Sequence, residues 1–339
     1  MINDINIFHI FKIYMKYLVT GITGFLGPHL ANLLIRNEHE VYALVRINNG
    51  RENDIRDIVA DEDFEKIHFV YGDITDFRAM NKIFQEYKFD GVFHLAAQTH
   101  PPTSFTDPIM TWEINVMGSV NIITAISDNQ PNCKLVFCST VEVYGNEGVD
   151  GRKIKETNTF LPANPYGASK AAIDMYLQER MKNNQLNAVI VRPFCFTGPR
   201  RGSKFSISSD AIQIARMMLG KQEKILKIGN LDTVRVVADV RDIAAAFVLI
   251  MDNNSTSGNI YNVCAGTPQK MRFYTETLIK LSGLTDVEMS LELKFWRPID
   301  IQYQDGDATK LITELGWEPK YTIETTLNDL LQYWVKKIQ

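Results

Sequence analysis

The sequence predicts an α/β fold in which a doubly wound parallel sheet precedes a smaller C-terminal lobe. Short apolar runs separated by helix-length segments predict strands at 16–20, 39–45, 68–71, 91–95, 134–139 and 188–192. That alternation implies a parallel sheet covered by helices on both faces. After residue 192 the alternation breaks, and brief strands accompany helices predicted at 208–219, 240–251, 272–282 and 325–338. A chain of 339 residues, 45% of them hydrophobic, can bury one large core or two unequal ones.

A glycine-rich turn follows the first predicted strand. It reads Gly21-Ile22-Thr23-Gly24-Phe25-Leu26-Gly27, and a helix-like apolar spacing from residue 28 to 36 comes next. This order indicates a dinucleotide site, although the spacing is G-x-x-G-x-x-G rather than G-x-G-x-x-G. Gly21 would permit the tight turn, Gly24 the approach of the pyrophosphate and Gly27 the packing of helix on strand, with the phosphates at the helix N-terminus. The alternative is an ordinary strand–helix turn.

The end of the second predicted strand favours one dinucleotide over the other. NAD enzymes place an acid there to bind the ribose 2′-hydroxyl, whereas an arginine accommodates a 2′-phosphate. Here the strand is followed by Arg46, with no acid. The sequence therefore favours NADP over NAD, the alternative being that Arg46 is a solvated cation.

Tyr166 and Lys170 form the chemical centre that the sequence predicts. They are one helical turn apart at the start of a long amphipathic helix, downstream of Thr140 at the end of an apolar strand. A phenol that titrates near ~10 acts as a base near neutrality only if its anion is stabilised. Lys170 and a positive nicotinamide ring would stabilise it together. The pair therefore predicts a proton-transferring tyrosine under a nicotinamide, although most such pairs in proteins are surface coincidences.

Composition excludes several classes of protein. A net charge of −4 carries no nucleic-acid signature, and the four cysteines show no paired metal spacing. This pattern predicts a metal-free cytoplasmic protein in a reducing compartment. Residues 1–14 are too short and polar to span a membrane and lack a secretory signal. Two interpretations of residues 1–14 remain: the protein starts at Met15, or these residues form a short partner-binding arm. We favour the first.

Several motifs occur in an order that resembles a known family. After the glycine turn come Gly72-Asp73-Ile74-Thr75-Asp76, His94-Leu95-Ala96-Ala97-Gln98, Asn115-Val116-Met117-Gly118, Ser139-Thr140-Val141-Glu142-Val143-Tyr144-Gly145 and Asn164-Pro165-Tyr166-Gly167-Ala168-Ser169-Lys170. From Met15 onward the chain resembles the extended short-chain dehydrogenase/reductases that modify nucleotide-diphosphate sugars. The resemblance implies a Rossmann-type fold, with residues 15–192 mainly binding NADP and 193–339 mainly binding substrate, and with some strands and helices exchanged between the two.

Three segments are similar to GDP-mannose 4,6-dehydratases and the related GDP-4-keto-6-deoxymannose reductases. They are the Arg200-Arg201 loop, which in those dehydratases reaches a neighbouring subunit's cofactor, the stretch 229–235, and the closing segment from Arg297 to Pro319. The resemblance implies a GDP-linked sugar, a role in polysaccharide biosynthesis and a homodimer or homotetramer. It also implies cofactor contacts from Gly21, Thr23, Gly24, Phe25, Leu26, Gly27, Arg46, Asp73, Ile74, Leu95, Ala96, Ala97, Gln98, Tyr166, Lys170 and Arg201. The substrate contacts that it implies are Gln98, Thr140, Glu142, Cys195, Lys204, Asn230, Arg235 and Arg297.

The triplet Thr140-Val141-Glu142 favours the dehydratase reaction. Oxidation at sugar C4 acidifies the C5 proton, so one carboxylate can remove it and then protonate the departing C6 hydroxyl. Glu142 would be that carboxylate, and Thr140 would bond the C4 oxygen beside Tyr166. The alternative is that Glu142 eliminates no water, since some reductases of the family that the chain resembles also have a glutamate at this position. Two departures from the family pattern stand out. Val141 replaces a polar residue, and Cys195 replaces an asparagine that usually touches the sugar nucleotide, although a thiol is a poor substitute for an amide.

Three functions therefore compete: a 4,6-dehydratase, a C4 reductase or epimerase that uses Tyr166 without Glu142 as a C5 base, and a non-catalytic dinucleotide sensor. A sensor has no need of the proton-transferring Tyr166. Glu142 and the Arg200-Arg201 loop favour the dehydratase over the reductase or epimerase.

Overall fold

The computed structural model describes residues 14–47, 50–295 and 301–339. The strands in this part of the chain are β1 Lys16–Thr20, β2 Glu40–Val45, β3 Ile67–Tyr71, β4 Gly91–His94, β5 Lys134–Cys138, β6 Ala188–Pro193, β7 Cys195–Thr197, β8 Ile225–Ile228, β9 Val234–Arg235, β10 Val237–Asp239, β11 Ile260–Val263, β12 Gln269–Lys270, β13 Glu288–Leu291 and β14 Tyr303–Gln304. The α-helices are α1 Leu26–Arg36, α2 Asp61–Phe64, α3 Phe77–Glu86, α4 Pro101–Thr106, α5 Pro108–Trp112, α6 Gly118–Asn129, α7 Pro165–Lys182, α8 Ser206–Met218, α9 Val240–Asp252, α10 Met271–Ser282, α11 Thr309–Leu315 and α12 Ile323–Ile338. A π-helical turn, Glu113–Met117, joins α5 to α6, and short 3₁₀ turns occur at Glu52–Asp57 and Val141–Val143.

Seven of the described strands form one parallel sheet in the order β11-β6-β5-β4-β1-β2-β3. The chain builds outward from β1 to β3, then crosses to β4 and builds outward in the opposite direction. The crossover makes the space beyond the carboxyl ends of β1 and β4 the switch point, where such folds bind ligands. The doubly wound α/β prediction is confirmed.

Alternation along the strands explains the two faces of the sheet. Tyr17 and Val19 point into one core with α1 and α9, whereas Leu18 points into the other with α3, α6 and α7. Successive strand side chains face opposite ways, so a strand that is apolar throughout must be covered on both sides.

A third core lies in the C-terminal part of the chain. Helices α8, α10 and α12 pack together around a set of buried apolar residues: Ala211, Ile214, Tyr274, Leu278, Leu327 and Leu331. Helix α9 and strand β11 instead return to the large sheet.

One continuous helical stretch among the described residues, Pro108–Asn129, has the length and apolar composition that a membrane span would need. Its α6 part buries Ile122, Ile123 and Ile126 in the core between α3 and the sheet. A helix that covers a parallel sheet needs such an apolar face, so its packing accounts for its composition.

Candidate active site

Three loops meet at the switch point of the sheet. Thr20 at the end of β1 pairs with His94 of β4, and His94 pairs with Phe137 of β5. The glycine turn, the 95–98 loop and the turn beginning at Thr140 therefore emerge side by side. The register alone brings three of the predicted motifs to one edge of the sheet.

The glycine turn packs too closely for side chains. Gly21 has a φ of +71°, and a Cβ there would lie 2.7 Å from the amide nitrogen of Ala96. Gly27 lies inside α1, where a Cβ would come within 2.3 Å of the Ile22 carbonyl oxygen.

Helix α1 begins at Leu26, two residues earlier than predicted, and no side chain of the described residues caps its first turn. Its N-terminal amides remain available to an anion.

The loop after β4 is fixed by a residue that the sequence analysis left without a role. Asn115 lies in the π-helical turn, accepts from the Gln98 amide at 2.8 Å and donates to the Ser169 hydroxyl of α7 at 2.9 Å. Ala96 in turn donates to the Thr20 hydroxyl at 3.1 Å. The sequence did indicate that Asn115 matters, because it belongs to one of the motifs shared with the resembled family. Its position in a π-helical turn agrees with this, since such turns often occur at functional sites.

A cavity of about 540 Å³ opens at the carboxyl ends of β2 and β3. Its lining includes Arg46 and Asp73, both predicted cofactor contacts, together with Tyr71, Asp76 and Ala79. Ile74, the next predicted contact, is buried against Gly118 at the start of α6. In this fold the ribose of a dinucleotide lies beyond the second strand, so the cavity has the position that its adenosine half needs.

Tyr166 and Lys170 are buried on one face of α7. Burial raises the pKa of the Tyr166 phenol, and a hydrogen bond with Thr140 and the charge of Arg201 oppose that rise. Burial also lowers the pKa of Lys170 to about 8. The Lys170 ammonium lies 4.0 Å from the centre of the Phe137 ring. The phenol thus depends on nearby cations to ionise.

Glu142 is buried beside this pair and is held by the N-cap residue of α7. The Asn164 amide donates to its carboxylate at 2.8 Å and accepts from the Gly167 amide at 2.7 Å. A Cβ at Gly167 would lie 2.7 Å from the Glu142 carbonyl oxygen, so glycine allows the two segments to touch. The sequence analysis assigned no role to Asn164, which precedes Pro165 and Tyr166 in the motif that ends at Lys170. An Asn before a Pro at the start of a helix is nevertheless typical of an N-cap residue.

The two arginines after β7 turn toward the glycine turn of their own chain. The Arg201 guanidinium lies 3.5 Å from the ring centre of Phe205 and 4.7 Å from that of Phe25. Burial lowers its pKa to about 10, and neighbouring Cys195 and Tyr166 oppose this. Arg200, for which the sequence analysis named no contact, donates to the carbonyls of Thr23 and Gly24.

The remaining predicted substrate residues lie further along the chain. Arg235 is buried and donates to the Val234 and Ile301 carbonyls at 2.8 and 2.6 Å, and the Asn230 side chain accepts from the Asp232 amide. Lys204 is exposed in the loop before α8. Arg297 lies outside the described residues. The structure thus groups Cys195 with Tyr166 through Arg201. It places Arg235 in β9, within the small sheet of β12, β9 and β14, and Asn230 in the segment that precedes β9.

Across residues 14–47, 50–295 and 301–339, no group of three or more His, Cys, Asp or Glu residues could hold a metal ion. All four cysteines lie within these residues and are free thiols.

Comparison with curated proteins finds relatives that span nearly the whole chain. The GDP-6-deoxy-D-mannose reductase of Pseudomonas aeruginosa is 28% identical over 95% of this chain and 97% of its own length. The GDP-mannose 4,6 dehydratase of Homo sapiens is 28% identical over 92% of this chain and 89% of its own. The relatives therefore include both a reductase and a dehydratase of GDP-linked sugars.

Solved structures agree with this placement. RMD from Pseudomonas aeruginosa, complexed with NADPH, has a TM-score of 0.81 at 28% identity and covers 95% of this chain and 99% of its own. The UDP-glucose 4-epimerase of Thermotoga maritima, with UDP-glucose, has a TM-score of 0.81 at 27% identity over 96% of this chain and all of its own. The predicted kinship with short-chain dehydrogenase/reductases acting on nucleotide sugars is confirmed. Because the GDP-mannose 4,6 dehydratase family model matches residues 18–330, the chain belongs to that family of nucleotide-sugar enzymes.

Proposed function

We propose that this protein is an NADP-dependent 4,6-dehydratase of a GDP-linked hexose such as GDP-mannose. The observation that carries the proposal is the buried carboxylate of Glu142, held by Asn164 beside Thr140 and Tyr166. A reductase or an epimerase needs the tyrosine but no carboxylate to remove the C5 proton. A dehydratase needs both groups within reach of one sugar ring.

The residues divide the chemistry between them. Tyr166, ionised with the help of Lys170, takes the proton of the C4 hydroxyl, and Thr140 orients that oxygen. Bound NADP supplies the hydride acceptor at C4 and the hydride donor at C6. Glu142 takes the C5 proton from the 4-keto sugar and donates a proton to the C6 hydroxyl, which leaves as water. C5 then regains a proton from solvent through Glu142, and Tyr166 releases to solvent the proton that it took from the C4 hydroxyl. With the hydride returned to C6, the products would be a 4-keto-6-deoxy sugar, water and unchanged cofactor.

The same assignment divides the chain between two ligands. We infer that residues 15–192 mainly bind NADP, through the glycine turn, the 95–98 loop and the cavity beside Arg46, and that residues 193–339 mainly bind the sugar nucleotide. Cys195, Lys204, Asn230, Arg235 and Arg297 are proposed substrate contacts. The four free thiols favour a reducing, cytoplasmic location.

One variant separates the steps. Glu142→Gln keeps the shape of the side chain and its contact with Asn164 but cannot accept a proton. With GDP-mannose we expect the variant to form some 4-keto sugar with reduced NADP, yet to release 4-keto-6-deoxy product at least about a hundredfold more slowly. Solvent deuterium should enter C5 in the wild type and be largely lost in the variant. Tyr166→Phe is the contrasting variant, because it should block the first oxidation and accumulate neither species.

The second candidate function is an NADPH-dependent reduction of a 4-keto sugar nucleotide, and the closely related alternative is a 4-epimerase. The reductase is favoured by the P. aeruginosa GDP-6-deoxy-D-mannose reductase, which aligns with this chain almost end to end. Product mass separates the reactions. A dehydratase product is lighter than the substrate by one water with no net change in cofactor absorbance, whereas a reductase consumes NADPH and adds two hydrogens. Failure of the wild type to dehydrate any GDP-, UDP-, CDP- or dTDP-linked sugar, or normal dehydration by Glu142→Gln, would reject the dehydratase.

A further inference from the structure

The Arg200 side chain binds the backbone carbonyl groups of the glycine turn. Its guanidinium donates to the Thr23 carbonyl at 3.0 Å, to the Gly24 carbonyl, and to the Asp54 carbonyl at 2.9 Å. The side chain is only 7% exposed, so these bonds form away from bulk water. Three carbonyls on two separate segments converge on one planar cation, an arrangement that suits the fork of donors on arginine and no other side chain.

The geometry of the peptide bond links this contact to the phosphate site. In a trans peptide the C=O and the following N–H point in opposite directions, and the bond between Gly24 and Phe25 is trans. With the Gly24 carbonyl turned toward Arg200, the Phe25 amide must point the other way, at the N-terminus of α1. That end of α1 is where a dinucleotide diphosphate binds. Arg200 therefore controls the direction of an amide that it does not touch.

The backbone of Arg200 indicates that this placement is imposed from outside. Its φ of +74° lies in the left-handed region, which a residue with a Cβ adopts only when its surroundings hold it there. The His29 ring of α1 lies 3.0 Å from the Pro199 carbonyl and fixes the preceding peptide. Asp54 and Asp57 place carboxylate oxygens 3.8 and 3.9 Å from the Arg200 guanidinium.

Asp57 extends the contact to the last helix of the chain. It accepts from the Tyr333 hydroxyl at 2.9 Å and from the Lys337 ammonium at 2.7 Å, both in α12. The C-terminal helix, the 52–57 turn, Arg200 and the glycine turn thus form one connected series of polar contacts.

We propose that Arg200 is a positioning residue that sets the glycine turn for the diphosphate of the cofactor, and that Asp57 with α12 holds Arg200 in place. The inference rests on the proposed function in that the ligand is taken to be a dinucleotide. It adds a contact within the chain to the role implied by the family resemblance, in which the arginine loop reaches a neighbouring subunit.

The test uses a ligand with the diphosphate and one without it. Arg200→Asn removes the guanidinium but keeps a residue that tolerates a left-handed backbone. We expect this variant to weaken NADPH binding, followed by nicotinamide fluorescence, at least about tenfold. Binding of adenosine 2′-monophosphate, which has the 2′-phosphate but no diphosphate, should stay within about twofold of wild type. The matched control is Arg36→Asn, at the exposed far end of α1, which should leave both ligands unaffected.

A second variant covers the case in which Arg200→Asn does not fold. Asp57→Asn leaves Arg200 intact but removes the carboxylate that α12 uses to hold it, so NADPH should be weakened more than adenosine 2′-monophosphate, in the same direction as for Arg200→Asn. Equal losses for the two ligands in these variants, or undiminished NADPH binding in Arg200→Asn, would overturn the positioning role. A wild-type protein that binds neither NADPH nor NADH would instead overturn the proposed function, and this inference with it.

Discussion

Lys170 and Tyr166 show how burial sets the chemistry of single residues. The pKa of Lys170 falls to about 8 because its ammonium is desolvated, whereas desolvation raises the pKa of Tyr166. Each shift disfavours the charged form that the proposed mechanism needs. In that mechanism the phenolate would be accessible only while Lys170 keeps its proton and the nicotinamide adds a further positive charge. The strength of the tyrosine as a base would then depend on the bound cofactor.

In the proposed function, Arg46 is the residue that would set the preference for NADP over NAD. It lines the cavity at the ends of β2 and β3, where its guanidinium can pair with a 2′-phosphate by charge-assisted hydrogen bonds. We expect Arg46→Ala to weaken NADPH binding about tenfold or more and to change NADH binding by less than about twofold. Titration calorimetry with both cofactors measures this. Equal losses for the two, or tighter NADH binding by the wild type, would contradict the assignment.

The contacts that sequence analysis missed join separate segments of the chain. Arg200 meets Gly24 across 176 positions, and Asn164 meets Glu142 across 22. Tyr166 and Lys170 were found because their relation is a local one, four residues along a helix. The sequence shows which residues are neighbours along a helix, whereas the contacts of Asn164 with Glu142 and of Arg200 with Gly24 depend on how the fold brings separate segments together.

Among the elements, α7 does the most to build the site. Its N-cap residue Asn164 holds Glu142, its first turns carry Tyr166 and Lys170, and Asp174 one turn further pairs with Arg192 of β6 at 2.7 Å. Asp174 also accepts from the Ser139 hydroxyl at 2.6 Å. Through Asp174 and Asn164, α7 therefore contacts the turn that carries Thr140 on both sides, at Ser139 and at Glu142. A single helix thus positions Thr140 and Glu142 relative to its own Tyr166 and Lys170.

The limits of sequence prediction are visible in the strands. The six strands predicted before residue 193 all occur, since each is a continuous apolar run that a doubly covered sheet requires. The seventh strand, β11, was not located, because Ile260–Val263 lies after residue 192, where the alternation of strands and helices breaks, and its short run includes a buried polar Asn262. That asparagine is satisfied by distant groups, including the Ile154 carbonyl at 3.0 Å, so its burial depends on tertiary structure.

Asp210 on α8 makes the C-terminal core sensitive to pH. It is buried against α10, where the Thr275 hydroxyl donates to it at 2.7 Å, and burial raises its pKa to about 7. The value in the unfolded chain is near ~3.9. The folded state therefore binds the proton more tightly, so the stability contributed by this group is fully present below about pH 4 and is lost as the pH rises through about 7.

Asp210→Asn tests this directly. The amide stays neutral and keeps an oxygen for Thr275, so the variant should be more stable than wild type at pH 8, by roughly 1–4 kcal/mol, and nearly equal to it at pH 4.5. Urea unfolding at both pH values gives the two differences. Asp128→Asn, at an exposed position of α6, is the control and should show no such dependence. A difference between variant and wild type that is the same at both pH values would show that the charge of Asp210 is not responsible.

At the scale of the whole molecule, one apolar face stands out. Ile109 and Trp112 of α5 are 72% and 42% exposed, Met117 of the π-helical turn is 54% exposed, and Met175 of the adjacent α7 is 55% exposed. A cavity of about 330 Å³ lies among the first three, bordered by Glu113 as its one charged residue among those described. Contiguous exposed apolar surface of this kind marks an interaction site. The π-helical turn also carries Asn115 and α7 carries Tyr166, so this face and the candidate active site are built on the same elements.

We propose that a second copy of this chain covers that face, since two helices on one subunit can meet the same two helices of another about a two-fold axis. Sedimentation equilibrium should then give at least twice the chain mass of 38.7 kDa, and four times if dimers pair again. Ile109→Glu would place a charge at the centre of the contact and should halve the dimer mass, or leave a dimer where the wild type is a tetramer. Ile312→Glu, at a residue of α11 that is 46% exposed, is the matched control and should not change the mass. A monomeric wild type would contradict the homo-oligomer, whereas an Ile109→Glu protein of unchanged mass would place the interface on another face.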